Sequence, residues 1–171
     1  NVMVSKVLAW VRDELERDGV RVTLELDPAL PMAQADAILV EQVVLNLVQN
    51  AHQAMVKQDG ERLLTVRVRA TGATVSLEVL DTGPGIEPEA LSRLFDPFFT
   101  TKPPGEGSGL GLSVSYGIVT EHKGHIDVQT EVGKGSLFTV KLPKLGTVDL
   151  DSRREGKRPL AIGGQGVGIT G

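Results

Sequence analysis

The sequence predicts an α/β fold, a two-layer sandwich in which a mixed five-stranded sheet carries about three main helices on one face. Three observations predict it. Strand-like alternation recurs five times, as two hairpins and one single strand; helical spacing of apolar residues recurs in three longer segments; and the two kinds of segment are interleaved along the chain. Two hairpins plus a single strand imply mixed pairing, with the helices as the second layer.

Each element has its own signature. Val2 to Arg17 places Val4, Val7, Leu8, Val11 and Leu15 at helical spacing and runs into Asp18-Gly19, a helix stop. From Val20 to Leu26, Val20, Val22, Leu24 and Leu26 alternate with Arg21, Thr23 and Glu25, which predicts a strand with one wet face, closed by Asp27-Pro28. Asp36 is a good N-cap for a long helix from about Ala37 to Lys57, ended by Asp59-Gly60. Leu63 to Ala70 and Ala73 to Leu80 alternate on either side of Thr71-Gly72, a hairpin whose second strand delivers Asp81. Pro88 opens a short helix through Arg93, and a helix entered from the Gly107 to Gly111 turn runs to about His122 and stops at Lys123-Gly124. His125 to Glu131 and Ser136 to Leu142 form the second hairpin around Val132-Gly133-Lys134-Gly135. From Gly146 neither period survives, so residues 1–145 read as one domain and 146–171 as an irregular tail or linker.

Composition narrows the function. At 171 residues, 40% hydrophobic and 23% charged, the chain fits one globular domain with a core plus some tail. A formal charge of −4 argues against a nucleic-acid partner, since phosphate-backbone binding relies on clustered Lys and Arg. With no Cys there are no disulfides, thiolate metal sites or Cys nucleophiles, and the cytoplasm is the expected compartment. The opening N-V-M-V-S-K-V-L-A-W-V meets Arg12, Asp13 and Glu14 too early for a membrane span or signal peptide, so no direct membrane contact is expected. Beginning at Asn1 without an initiator Met, the chain reads as a piece of a longer protein.

The chemistry concentrates between Asp81 and Leu112. D-T-G-P-G-I (Asp81 to Ile86) and G-E-G-S-G-L-G-L (Gly105 to Leu112) are glycine-rich turns bracketing the aromatic segment L-F-D-P-F-F-T-T-K (Leu94 to Lys102). Glycine lets backbone N–H groups approach a ligand and converge on an anion. The second turn leads into an apolar-periodic helix, which would aim free N–H groups and the positive end of its dipole at a polyphosphate.

The long helix carries the second signal. Leu39, Val40, Val43, Val44, Leu47, Val48, Ala51 and Ala54 form one apolar arc, and Asn46 and Asn50, four apart, sit together at its edge with Gln42 and Gln53 beside them. A buried amide without a partner costs roughly 1 to 3 kcal/mol. A metal ion or phosphate fits as that partner, and so does the backbone of a neighbouring loop.

Taken together, E-Q-V-V-L-N-L-V-Q-N-A-H-Q-A-M, D-T-G-P-G-I, F-D-P-F-F-T-T-K, G-S-G-L-G-L and G-K-G-S-L-F resemble the asparagine, phenylalanine and glycine boxes of sensor histidine kinases. Over about Val2 to Leu145 the chain looks like their catalytic ATP-binding domain, with the Bergerat fold shared by gyrase, MutL and the large heat-shock chaperone. Five boxes in the right order are far more specific than one glycine motif.

The resemblance implies a role for each matching position. Asp81 would accept a hydrogen bond from the adenine exocyclic amine, with Gly83, Gly85 and Ile86 shaping the base pocket and Ser136, where Thr is common, keeping a hydroxyl near the base. Asn50 would coordinate Mg²⁺, and Asn46 would contact the phosphates or the same ion. Gln53 takes a place where many relatives have Lys, and Lys102 would supply that charge instead. Gly107, Ser108, Gly109, Leu110 and Gly111 would wrap the phosphates, Thr101 and Leu112 would complete the nucleotide-binding set, and Pro103 to Gly107 would form a mobile lid anchored by Phe95 and Phe98. Phe138 is expected in the core. Asn46, Asn50 and Lys102 would carry catalysis, with ATP and Mg²⁺ bound.

Three functions are compatible with this much: a histidine kinase catalytic domain, a Bergerat-fold ATPase, or an ATP-binding module without chemistry of its own. In the ATPases the residue four before the Mg²⁺ asparagine is typically a Glu that activates water; here it is Asn46, which cannot take a proton. That favours transfer to a histidine, the implied acceptor. His52 reads as a solvated surface residue of the long helix, and His122 and His125 flank a helix stop where a cationic role at the C-terminus suffices; as a zinc pair they lack further ligands. The acceptor is therefore expected on a dimerisation domain of the same protein, upstream of Asn1, and a response regulator is the expected downstream partner.

Overall fold

A computed structural model describes residues 1–103 and 107–146 of the chain. In order the elements are α1 (Val2–Arg17), β1 (Arg21–Leu26), α2 (Ala37–Val56), β2 (Leu63–Thr71), β3 (Thr74–Asp81), α3 (Pro88–Leu91), α4 (Gly111–Glu121), β4 (His125–Glu131) and β5 (Gly135–Pro143). The five strands form one sheet in the order β1-β2-β3-β5-β4; β1 pairs with β2 in parallel and the other neighbours are antiparallel. The expected mixed sheet with a helical layer is thus the observed one. The parallel pair exists because α2 is the crossover between β1 and β2, whereas β2–β3 and β4–β5 turn back directly as hairpins.

The helical layer is built from α2 outward. Asp36 caps α2 by accepting from the N–H groups of Ile38 at 2.8 Å and Leu39 at 3.3 Å. Val43, Val44, Leu47 and Val48 are buried against the sheet, α4 lies along one flank of α2, and α1 covers the other with Val4, Val7, Leu8, Val11 and Leu15. The result is one continuous core that runs from α1 through α2 to the sheet.

Pairing sets the sheet's inner face in cross-strand rows. Leu24, Val66, Val79, Phe138 and Val128 make one row, and Leu26, Val68, Leu77, Val140 and Ile126 the next. A third row begins Val22, Leu64 and then turns polar as Asp81, Ser136, Thr130. The site lies where the core face changes character.

Two elements depart from expectation. The apolar side of β1 is not well buried, with Val22 42% and Leu24 40% exposed, because β1 is an edge strand at the margin of the helical layer. The helix begun at Pro88 ends at Leu91, and the chain continues as turns in which Arg93 N–H bonds Ala90 O and Leu94 N–H bonds Leu91 O. The part of the expected lid at 104–106 and the expected tail from 147 onward lie outside the described residues.

Candidate functional site

Strand β3 ends by carrying Asp81 under the helical layer, where it is only 3% exposed. Burial pushes its carboxyl up to about 6, against the opposing effect of backbone hydrogen bonds from Gly83 and Ser136. The Gly83 N–H donates to Asp81 Oδ1 at 2.8 Å. A side chain at position 83 would displace that carboxylate: a Cβ there would stand 2.7 Å from Asp81 Oδ1 and 3.2 Å from the Ala54 Cβ. That contact places the carboxylate against α2 one helical turn beyond Asn50.

The 83–86 turn is laced to the second hairpin. Gly85 has φ +74 and presses on the backbone of Glu131; Gly133 N–H donates to Pro84 O at 2.8 Å; and Ile86 N–H donates to Thr130 Oγ1 at 2.9 Å. Thr130 Oγ1 also lies 3.0 Å from Gly135 O and 3.0 Å from Ser136 Oγ. Gly135 is obligatory, since with φ +123 its backbone passes so close to Asp81 that a Cβ would overlap the Asp81 carbonyl oxygen. Thr130 is a site residue the sequence reading misses, because only strand pairing brings it to Ser136 and Ile86.

On α2 the two asparagines behave differently. Asn46 Nδ2 donates to Gly111 O at 3.0 Å and lies 3.2 Å from Ser115 Oγ, while Ser115, wholly buried, donates to the same Gly111 carbonyl at 2.8 Å. Asn46 therefore fixes the first turn of α4 on α2, the loop-backbone role left open above, and Ser115 is a partner that spacing alone does not reveal. Asn50 is half-buried, and among the described residues its carboxamide makes no hydrogen bond. α4 starts at Gly111 with Leu110 as N-cap and no side-chain cap, so its leading N–H groups remain available to a ligand.

The glycine turn before α4 is tied to the aromatic segment by backbone. Phe98 N–H donates to Gly109 O at 3.0 Å, Gly109 has φ +66, and a Cβ there would come within 2.7 Å of the Phe98 Cα. Ser108 Oγ accepts from the Leu110 N–H at 3.3 Å. Phe95 packs on Tyr116 with ring centroids 5.1 Å apart. Phe98 does not anchor anything inward: its own φ is +65 and its ring is 73% exposed, because the backbone tie to Gly109 turns the side chain outward. Lys102 Nζ hydrogen-bonds Gln53 Oε1, so the cation reaches α2 at the very position where a Lys was missing. Thr101 and Gly107 are exposed beside it, and Leu112 packs against the core. Phe138 is core, as expected.

The histidines need correction. His52 is not a solvated residue; it is 6% exposed, with Nε2 2.8 Å from Asp18 Oδ2 and Nδ1 3.7 Å from Glu14 Oε1. The reason is α1, which covers that face of α2 and brings both carboxylates. His122 is not a helix-end cation either: its Nδ1 donates to Ile118 O at 2.8 Å and its Nε2 accepts from the Asp36 N–H at 3.0 Å, a pattern that needs the neutral ring. His125 is exposed and lies 2.7 Å from Asp127 Oδ1. Among the described residues no group of three or more His, Cys, Asp or Glu could hold a metal ion, and no helix is long and apolar enough to cross a membrane.

A family model described as histidine kinase-, DNA gyrase B-, and HSP90-like ATPase matches residues 35–146. The chain is 42% identical over 127 residues to the C4-dicarboxylate transport sensor protein DctS of Rhodobacter capsulatus, covering 72% of this chain and 19% of that protein. It is 39% identical over 143 residues to the sensor histidine kinase ZraS of Escherichia coli (strain K12), covering 84% and 30%. The chain thus spans 30% or less of either relative's length. Among solved structures, the nucleotide-free catalytic domain of histidine kinase ThkA superposes with a TM-score of 0.74 at 29% identity, over 84% of this chain and 91% of that one. Full-length ShkA in complex with AMPPNP gives 0.70 at 29% identity, over 83% and 29%, and ThkA in complex with the response regulator TrrA gives 0.70 at 28%, over 84% and 40%.

Proposed function

The chain belongs to the histidine kinase-, DNA gyrase B- and HSP90-like ATPase family, and from that premise we propose that it binds Mg²⁺-ATP and delivers the γ-phosphoryl group to a histidine on a separate dimerisation domain. Its relatives are sensor kinases, so the place of the reaction is two-component signalling, with a response regulator downstream. The solved complexes of ShkA with AMPPNP and of ThkA with the response regulator TrrA support the same two kinds of partner here.

The residues present fit such a nucleotide. Asp81, ionised, accepts from the exocyclic amine of adenine, in a base site walled by Gly83, Gly85, Ile86 and Ser136. Asn50 offers a hard carboxamide oxygen with no competing partner among the described residues, the donor type that suits Mg²⁺. Once bound, that ion would neutralise charge on the phosphates. The uncapped start of α4 and the Gly107–Gly111 turn present N–H groups to the same phosphates, and Lys102, held on Gln53, adds a cation.

One observation carries the choice of transfer over hydrolysis. Asn46 is a carboxamide whose Nδ2 is committed to Gly111 O and Ser115 Oγ, so the helix position that would activate water holds no base. An imidazole needs no such base: its neutral nitrogen forms the bond to phosphorus as the bond to the ADP oxygen breaks, ADP departs with the electron pair, and the ring proton passes to solvent. The chain's own contribution is positional and electrostatic.

The test mixes the protein and γ-labelled ATP with a separately produced histidine-containing dimerisation domain. Acid-labile label on that domain is the expected result. Release of free phosphate without labelled histidine would make the protein an ATPase, and tight binding with neither product would make it a passive module.

A further inference from the structure

The geometry points to Thr130 as a specificity-determining residue of the base pocket: it holds the Ser136 hydroxyl as a hydrogen-bond acceptor, so that the pocket admits an amine and rejects a carbonyl. This rests on the adenine reading of Asp81 above.

The argument is an accounting of protons at one atom. Thr130 Oγ1 lies 2.9 Å from Ile86 N, 3.0 Å from Gly135 O and 3.0 Å from Ser136 Oγ. A hydroxyl has one proton and two lone pairs. The Ile86 N–H can only donate and takes one lone pair; the Gly135 carbonyl can only accept and takes the proton. The second lone pair is left for Ser136, which must therefore donate. The single proton of Ser136 is then directed at Thr130, and only lone pairs remain to face the pocket.

Ser136 stands directly opposite Asp81 in the β3–β5 register, and the two are 5% and 3% exposed. An ionised carboxylate also only accepts. Two neighbouring buried groups thus present acceptors alone, which suits the amine of adenine. A guanine carbonyl placed there would meet lone pairs without a donor, and sites that leave buried polar groups unpaired discriminate strongly. Thr130 acts through Ser136 and through the 83–86 turn, whose Ile86 N–H it accepts.

The test is calorimetric titration of the whole chain with ATP and with GTP, alongside Thr130→Val, Thr130→Ser, Ser136→Ala and Asp81→Asn. Val keeps the β-branched shape that a strand favours and deletes the relay. Thr130→Val should narrow the ATP-over-GTP affinity ratio about tenfold or more, because the freed Ser136 proton then meets the guanine carbonyl. Thr130→Ser should keep the wild-type ratio. A purely structural role would lower affinity for both nucleotides alike and leave the ratio unmoved; that result, or equal loss of selectivity in Thr130→Ser, overturns the inference. Should Thr130→Val fail to fold, Ser136→Ala decides: it removes the oriented acceptor while leaving Thr130 on Ile86 and Gly135, and an unchanged ratio again overturns the inference. If Asp81→Asn abolishes selectivity while Thr130→Val preserves it, the adenine reading stands and the relay falls. If the wild-type chain binds neither nucleotide, both fall.

Discussion

Asp81 lies directly across the β3–β5 ladder from Ser136, in the row of the sheet that continues the core's register in polar residues. The same alternation that buries Val79 against Phe138 two residues away therefore buries a carboxylate against a hydroxyl. A charged group is placed there by pairing alone, without any irregularity in either strand.

Replacing Asp81 by Asn removes the charged acceptor and should weaken ATP binding by roughly tenfold or more, the worth of one hydrogen bond to a charged group. Calorimetric titration checks it. An unchanged dissociation constant would take Asp81 out of the base site.

The pH dependence of stability follows from the same burial. The folded-state value of about 6 lies above the ordinary 3.8, so the native protein holds this proton more tightly than the unfolded chain. Its stabilising contribution is full below about pH 4 and is lost as pH rises through 6, an effect of up to about 3 kcal/mol. Asp81→Asn should accordingly be more stable than wild type at pH 7 to 8, with the gap closing toward pH 4, in urea denaturation. ATP affinity runs the other way, rising between pH 5 and 7 as the carboxylate forms.

Asn50→Ala should abolish the Mg²⁺-dependent part of ATP binding. The comparison is titration with magnesium and with a chelator; a variant that still responds to magnesium as wild type does would exclude Asn50 as the ligand.

Two glycines of one hairpin should separate cleanly. Gly135→Ala forces a Cβ onto the Asp81 carbonyl and should destabilise the fold by about 2 kcal/mol or more, whereas Gly133, with φ +82 and open space around it, should lose only about 1 kcal/mol on the same change. Thermal unfolding of the pair measures the difference.

The His52 link between α2 and α1 should matter to stability and not to the nucleotide. His52→Ala leaves Asp18 and Glu14 without their partner and should destabilise by about 1 to 3 kcal/mol, with ATP affinity within about twofold of wild type. A large loss of affinity in a folded variant would contradict this.

Most of the architecture is legible in the chain because its signals are local. The hairpins announce themselves through Gly72 and Gly133, α2 through Asp36, and the glycine turns through spacing. What escapes is whatever depends on an element distant in sequence. The tie from Asn46 to Gly111 and Ser115 is invisible until α4 arrives; His52 looks solvated until α1 covers it; Thr130 looks like any polar strand residue until β5 and the 83–86 turn converge on its hydroxyl. Phe98 errs the other way, since an aromatic reads as buried while its positive φ turns it out.

The crossover between β1 and β2 is itself the helix that bears Asn46 and Asn50. Those side chains are consequently threaded into one of the two pairings, β1–β2 and β3–β5, that hairpin closure alone cannot complete, and the parallel pairing must wait for the helix to dock. Amide protons in the middle of α2 should exchange with solvent only when the entire domain opens, so ligand chemistry and the last cooperative unit of unfolding share a single segment.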